Sequence, residues 1–123
     1  MAEDIIEPIV EAMRARHASR IRAMDMSEYP LTMDVFLIAS AETRIQARAV
    51  CDSVVDAARA LGVRLHHREG YEEGSWILLD FGDLVVHVFL PQTREYYNLE
   101  MLWNDAPFKD FADDPGRPPD ITG

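Results

Sequence analysis

The feature that most constrains this chain is a pair of strand-like runs, residues 76–80 (WILLD) and 83–89 (DLVVHVF), separated by Phe81-Gly82. A connection this short and containing Gly, set between two runs of strand formers, predicts a tight antiparallel hairpin. Placing Asp80 opposite Asp83 pairs Leu79 with Leu84, Leu78 with Val85, Ile77 with Val86 and Trp76 with His87. Successive strand side chains point to opposite faces, so Ile77, Leu79, Leu84, Val86 and Val88 make one aliphatic face. Trp76, Leu78, Asp80, Asp83, Val85, His87 and Phe89 make the other, and their mixture of aromatic, titratable and aliphatic groups is closer to a docking surface than to a core. A slip of one residue would exchange the two faces.

The flanking sequence supplies the rest of a domain. Pro8, tolerated in a helix's first turn, marks the start of a first helix whose apolar stripe is Ile6, Ile9, Val10 and Met13. Residues 21–26 read as a strand, and the strongly apolar residues 33–39 read as a central strand buried on both sides. Thr43 with Gln46 three positions on predicts a capping box at the start of a long helix that ends at Gly62. Ala47, Cys51, Val54, Ala58 and Leu61 form its buried stripe. Residues 63–66 read as a short strand, Pro91 stops the last strand, and residues 93–102 read as a short helix. Beyond Pro107 the composition turns to Pro115, Pro118, Pro119 and Asp with little apolar content, which predicts a mobile tail over 108–123 behind a single domain over 1–107. The order helix, strand, strand, helix, three strands, helix predicts an α/β (α+β) domain with a mixed sheet of about five strands.

Composition narrows the function. A chain of 123 residues buries roughly 65% of its unfolded surface and needs no covalent staples. The single cysteine, Cys51, excludes an intramolecular disulfide and fits a reducing compartment. No apolar run approaches the roughly 20 residues needed to cross a bilayer, and the first residues, Met1-Ala2-Glu3-Asp4, are acidic, so the expectation is a cytoplasmic protein without a membrane partner. Twelve Lys and Arg against 22 Asp and Glu leave a net charge of −10. Such a body repels phosphate at long range, which predicts little direct RNA binding and suits a basic protein partner.

The hairpin and its surroundings carry a resemblance. Glu69-Gly70, Trp76, Asp80-x-Gly82-Asp83, Val86-His87-Val88 and Arg94-x-x-Tyr97-x-Leu99-Glu100-x-Leu102-Trp103 follow the order and spacing of the ribosomal silencing factor family, the Iojap-like proteins. Asp34-Val35-Phe36-Leu37-Ile38-Ala39-Ser40 followed by Ala41-Glu42-Thr43 is similar to that family's strand and helix entry. The chain departs from the pattern at Ala41, where the family has the turn Gly, at Thr43 for its second Ser, and at Ile45-Gln46 for its basic pair, with an Arg displaced to Arg44. The resemblance implies a sheet related in outline to the nucleotidyltransferase fold. It also implies a protein that binds the large ribosomal subunit through large-subunit ribosomal protein fourteen, sterically blocks subunit joining under nutrient limitation, needs no cofactor, and can form a homodimer.

The fold outline raises a rival reading, a small nucleotidyltransferase-like enzyme or nucleotide-binding protein. Nucleotidyl transfer needs a Gly-Ser turn around phosphate and carboxylates spaced for two metal ions. Ser40-Ala41 lacks the Gly, and Asp80 and Asp83 at a turn have no phosphate cradle beside them. His66, His67, Glu69 and His87 are a poor metal set, because adjacent strand residues point to opposite faces. Cys51 on a buried helix stripe reads as packing rather than a nucleophile. A binding module remains, with Tyr96, Tyr97 and Trp103 joining the mixed hairpin face as candidate contacts, although Leu99, Leu102 and Trp103 could equally fold the last helix onto the sheet.

Overall fold

The computed structural model describes residues 2–30 and 33–113. Its elements are α1 (Ala2–Ala15), β1 (Ser19–Asp25), β2 (Val35–Ser40), α2 (Arg44–Ala60), β3 (His67–Glu69), β4 (Trp76–Asp80), β5 (Leu84–Phe89), α3 (Pro91–Tyr97), α4 (Leu99–Leu102) and β6 (Phe108–Phe111). The strands form one mixed sheet of six in the order β3-β4-β5-β2-β1-β6. Only β2 and β5 run parallel; every other neighbouring pair is antiparallel.

Both central strands, β2 and β5, are buried at every residue, which explains their unbroken apolar runs. On one face of the sheet, α1 and α2 close a core in which Ile9, Val10 and Met13 meet Ala47, Cys51 and Val54 over Ile77, Leu79, Val86 and Val88. The aliphatic face of the hairpin is therefore core. The other face carries a second, smaller core of Met24, Met26, Phe36, Ile38, Val85, Phe89 and Ala106, sealed by Tyr29, Leu99 and Trp103.

The hairpin register differs from the expected pairing by two residues. Trp76 pairs with Phe89, Ile77 with Val88, Leu78 with His87, Leu79 with Val86 and Asp80 with Val85. The turn is Gly82-Asp83 rather than Phe81-Gly82: the Phe81 N–H donates to the Leu84 carbonyl at 2.9 Å. Gly82 takes φ +94°, the positive-φ position that a tight hairpin turn reserves for Gly. Asp80 fixes the turn by accepting from the Gly82 N–H at 2.8 Å. Because the error is an even number of residues, no side chain changes face.

Other expectations shift for local reasons. Helix α1 begins well before Pro8, which lies inside it. Pro8 supplies no N–H to the turn before it, and the fully buried Ile9, Val10 and Met13 beyond it anchor the helix instead. Thr43 caps α2, its Oγ1 accepting from the Gln46 N–H at 3.0 Å, and Gly62 at φ +79° ends the helix with the Val63 N–H bonded to the Ala58 carbonyl. Leu61 falls outside the buried stripe and is exposed. The short strand expected at 63–66 forms instead at His67–Glu69. The final helix breaks into α3 and α4 at Asn98, which adopts φ 49° and caps both.

The domain also extends past Pro107. β6 pairs with β1 from Met24↔Phe108 to Ile21↔Phe111, held by a two-pronged Arg22–Asp110 ion pair at 2.7 and 3.1 Å and by Arg22 lying 3.9 Å over the Phe108 ring. The remainder of the expected tail, 114–123, lies outside the described residues.

Candidate docking surface

The mixed hairpin face is a covered face. Val85, His87 and Phe89 are buried rather than on the surface as expected, and of this set only Trp76, Leu78 and Asp80 are half-exposed and Asp83 exposed. Asp80 is committed to the turn, and the carbonyl of Asp83 accepts from the N–H groups of Asp34 and Val35 at 2.7 and 3.1 Å. The covering comes from Phe36 on β2, Met24 on β1 and the segment around Trp103, none of which hairpin periodicity can see.

Inside this second core, rings are stacked end to end. Trp76 lies 4.9 Å from Phe89 at 28° and 4.7 Å from Tyr97; Phe36 meets His87 edge-on at 4.8 Å; Trp103 meets Tyr29 edge-on at 5.0 Å. The Trp76 indole Nε1–H donates to His87 Nδ1 at 3.0 Å. With Nδ1 accepting, the neutral imidazole carries its proton on Nε2, and that atom is buried without a hydrogen-bond partner among the described residues. Burial pushes His87 down to about 4. His87 is thus a neutral, structural histidine that orients Trp76. Trp103 is half-buried and serves mainly as a plug between Tyr29 and Phe36.

The ring chain reaches solvent on α3 and α4. Tyr97 is half exposed and contacts Trp76 on one side and Tyr96, itself exposed, on the other at 5.0 Å. Met101 and Leu102 on α4 are exposed beside them. Glu95 adjoins Tyr96 in the chain, and Glu95, Glu28 and Asp105 are all exposed and without a hydrogen bond or ion pair among the described residues. Exposed Tyr, Met and Leu side chains of this kind have the composition of a protein interface.

What holds this patch in place is a group the sequence reading passed over. Arg94 is 4% exposed. It donates from Nε and Nη2 to Glu100 Oε2 at 3.1 and 2.8 Å, and from Nη1 to the Arg20 carbonyl at 2.7 Å and Ser40 Oγ at 2.9 Å. Arg20 sits at a β-bulge in β1 with φ 51°, which turns its carbonyl toward Arg94. Arg94 and Glu100 are six residues apart, a spacing that no single helix brings together; they meet because Asn98 kinks the chain between them. Asn is one of the few residues that accept that left-handed conformation readily, and it is the signal that could have exposed the break. Gly70 positions the other border: at φ +80° it passes so close to β4 that an added Cβ would stand 2.0 Å from the Trp76 carbonyl oxygen.

At the start of α2, Gln46 Oε1 accepts from the Glu42 N–H at 2.7 Å, while Gln46 Nε2 donates to the carbonyls of Arg16 and His17. Thr43 and Gln46 thus engage the N–H groups of Gln46 and Glu42 at the amino end of α2. Among the described residues no three His, Cys, Asp or Glu groups come together as a metal site. His67 pairs with Glu69 at 2.7 Å. Cys51 is buried in the α2 core, and that burial pushes its thiol up to about 12. No helix among the described residues is long and apolar enough to cross a membrane.

The family model for the ribosomal silencing factor during starvation matches residues 1–121. The ribosomal silencing factor of Bacillus subtilis is 39% identical over 108 residues, covering 88% of this chain and 92% of the relative. That of Halalkalibacterium halodurans is 37% identical over 105 residues, covering 85% and 90%. A crystal structure of a Chromobacterium violaceum protein superposes with a TM-score of 0.82 at 30% identity, over 94% of this chain and 91% of that one. With a family model spanning nearly its whole length and relatives matched almost end to end, the chain belongs to the ribosomal silencing factor family.

Proposed function

We propose that this protein docks on the free large ribosomal subunit through large-subunit ribosomal protein fourteen and, by occupying the face that meets the small subunit, prevents the two from joining when nutrients are scarce. The observation that carries the reading is the set of exposed side chains Tyr96, Tyr97, Met101 and Leu102 on α3 and α4, with Tyr97 seated on Trp76. These apolar groups supply contact area, and the acidic character of the chain suits a basic protein surface. The net charge of −10 works against contact with rRNA and for contact with a basic ribosomal protein. No reaction is involved: the block is steric, and the protein acts in the cytoplasm.

The same patch can pair with a second copy of the chain. Self-association then uses α3 and α4 rather than the mixed hairpin face, since Val85 and Phe89 are buried. Dimer and ribosome compete for one surface.

Order of addition tests the mechanism. Protein mixed with large subunits before small subunits are added should lower the yield of joined ribosomes in a sucrose gradient, and the same amount added to joined ribosomes should do little. Equal inhibition in both orders refutes a block at the joining face.

A further inference from the structure

At the opposite end of the sheet from Trp76 lies a cavity of about 580 Å³ that the docking patch does not use. The separation follows from register: Val35 at the cavity end of β2 and Ser40 beside Phe89 are five strand residues apart, roughly 16 Å. The floor is apolar, formed by Ile6 of α1, Ala23 of β1, Val35 of β2 and Phe111 of β6, with Phe108 at its edge. Three carboxylates stand around it, Glu7, Asp25 and Asp34, against one ammonium, Lys109. Lys109 is 3.9 Å from Glu7 and lies 4.9 Å over the Phe111 ring. Asp25 accepts from both the N–H and the hydroxyl of Ser27, which holds its carboxyl below the usual range and keeps it charged. The Asp34 carboxylate has no hydrogen bond or ion pair among the described residues.

One wall of this cavity is β6, the outermost strand of the sheet on that side. An edge strand offers a row of outward N–H and C=O groups to another extended backbone. Main-chain groups along an edge, an apolar hole beside it and surplus negative charge at the mouth are together the requirements for binding an extended peptide by strand addition. In such a peptide alternate side chains share a face, so an apolar residue entering the cavity is flanked two positions away on each side by residues that reach the rim.

We infer that this end of the sheet is a second docking site, for an extended basic peptide that adds to the outer edge of β6, with which no strand among the described residues pairs, places one aliphatic side chain in the cavity and sets Lys or Arg two residues to either side against Glu7, Asp25 and Asp34. The site is independent of the α3–α4 patch and would give the protein a second hold on a partner rich in basic segments.

The test is an NMR titration of the full-length, ¹⁵N-labelled protein with the blocked peptide Lys-Thr-Leu-Thr-Arg, its Lys-Thr-Gly-Thr-Arg counterpart and spermidine. Saturable shifts are expected at the amides of Ala23, Lys109 and Phe111, with the Trp76 indole N–H unmoved. Loss of the buried Leu should weaken binding roughly tenfold. Asp34→Asn and Glu7→Gln should each weaken it roughly two- to fivefold, as expected for half-exposed ion pairs, with the amide spectrum showing both variants folded. Spermidine binding as tightly as the Leu peptide, the Gly peptide binding as tightly, shifts confined to Tyr97 and Trp76, or no saturable shift at millimolar peptide would each overturn the assignment.

Discussion

Acidification should destabilise this protein through His87 before it does so through the carboxylates. Burial alone lowers His87 from 6.5 to about 4, and its one hydrogen bond among the described residues is with the Trp76 indole. Above pH 6.5 neither the folded nor the unfolded state binds a proton at this residue, and the full stability is present. Between 6.5 and about 4 only the unfolded state binds it, so stability is lost as pH falls; below about 4 both states bind and the loss levels off. The gap from 6.5 to about 4, at about 1.4 kcal/mol per pH unit, amounts to roughly 3 kcal/mol. That is a large share of the 5–15 kcal/mol that roughly spans the stability of ordinary domains. Urea unfolding midpoints of the wild-type protein and His87→Phe, measured from pH 7 to pH 4, isolate the effect, because the carboxylates and the other histidines are common to both. His87→Phe strands the Trp76 N–H and should start out less stable at pH 7, with the difference between the two proteins shrinking by roughly 3 kcal/mol toward pH 4. A difference that stays constant across that range refutes a buried, neutral His87.

Four further outcomes can be measured. Glu100→Ala leaves the Arg94 guanidinium buried without its counter-charge and should cost roughly 3–5 kcal/mol, a urea midpoint shift on the order of 2 M; a cost under about 1 kcal/mol would show that the pair does not order α3 and α4. Tyr97→Ala, half exposed over Trp76, should weaken large-subunit binding by on the order of 2 kcal/mol while leaving the fold intact. Ile77→Ala, fully buried, should cost roughly 2–5 kcal/mol of stability; if in equilibrium binding and unfolding measurements it is Ile77→Ala that folds normally and loses binding, the patch has been placed on the wrong side. The rate of association with large subunits should fall as added salt shortens the Debye length from about 10 Å to about 3 Å, and a salt-independent rate would reduce the acidic composition to a solubility feature.

The parts of the fold that were legible in the sequence are those set by short periods. The pleat repeats every two residues, so even a pairing shifted by two sorted Ile77, Leu79, Val86 and Val88 onto the core side. The α2 helix announced itself through Thr43, its 3.6-residue stripe and Gly62. The capping box was half right in a revealing way: Thr43 caps as expected, but Gln46 reaches the Glu42 N–H instead of Thr43's and spends its amide on the α1–β1 turn. A local motif was drawn into a tertiary contact that spacing cannot show. β6 escaped notice because Phe108-Lys109-Asp110-Phe111 is short, charged and next to Pro107; it forms because β1 presents Arg22 to Asp110 and to the Phe108 ring.

The exposure of the mixed hairpin face was misjudged for a related reason. Period-2 alternation identifies which side chains share a face of the sheet, but whether that face meets water depends on what the rest of the chain lays over it. Here Met24, Phe36, and Trp103 with Ala106 arrive from three separate segments and bury Val85, His87 and Phe89. The same covering gives the chemistry of the mixed face a use: its rings form a packed base, His87 orients Trp76 through the indole N–H, and Trp76 supports Tyr97 at the surface. Interface aromatic residues bind most tightly when their rotamers are already fixed, since less side-chain entropy is lost on association. Arg94 and Glu100 fix the backbone of the same patch from beneath. The family pattern Arg94-x-x-Tyr97-x-Leu99-Glu100-x-Leu102-Trp103 thus divides into two kinds of residue, the clamp and plug of Arg94, Leu99, Glu100 and Trp103, and the exposed Tyr97 and Leu102 that they hold in position.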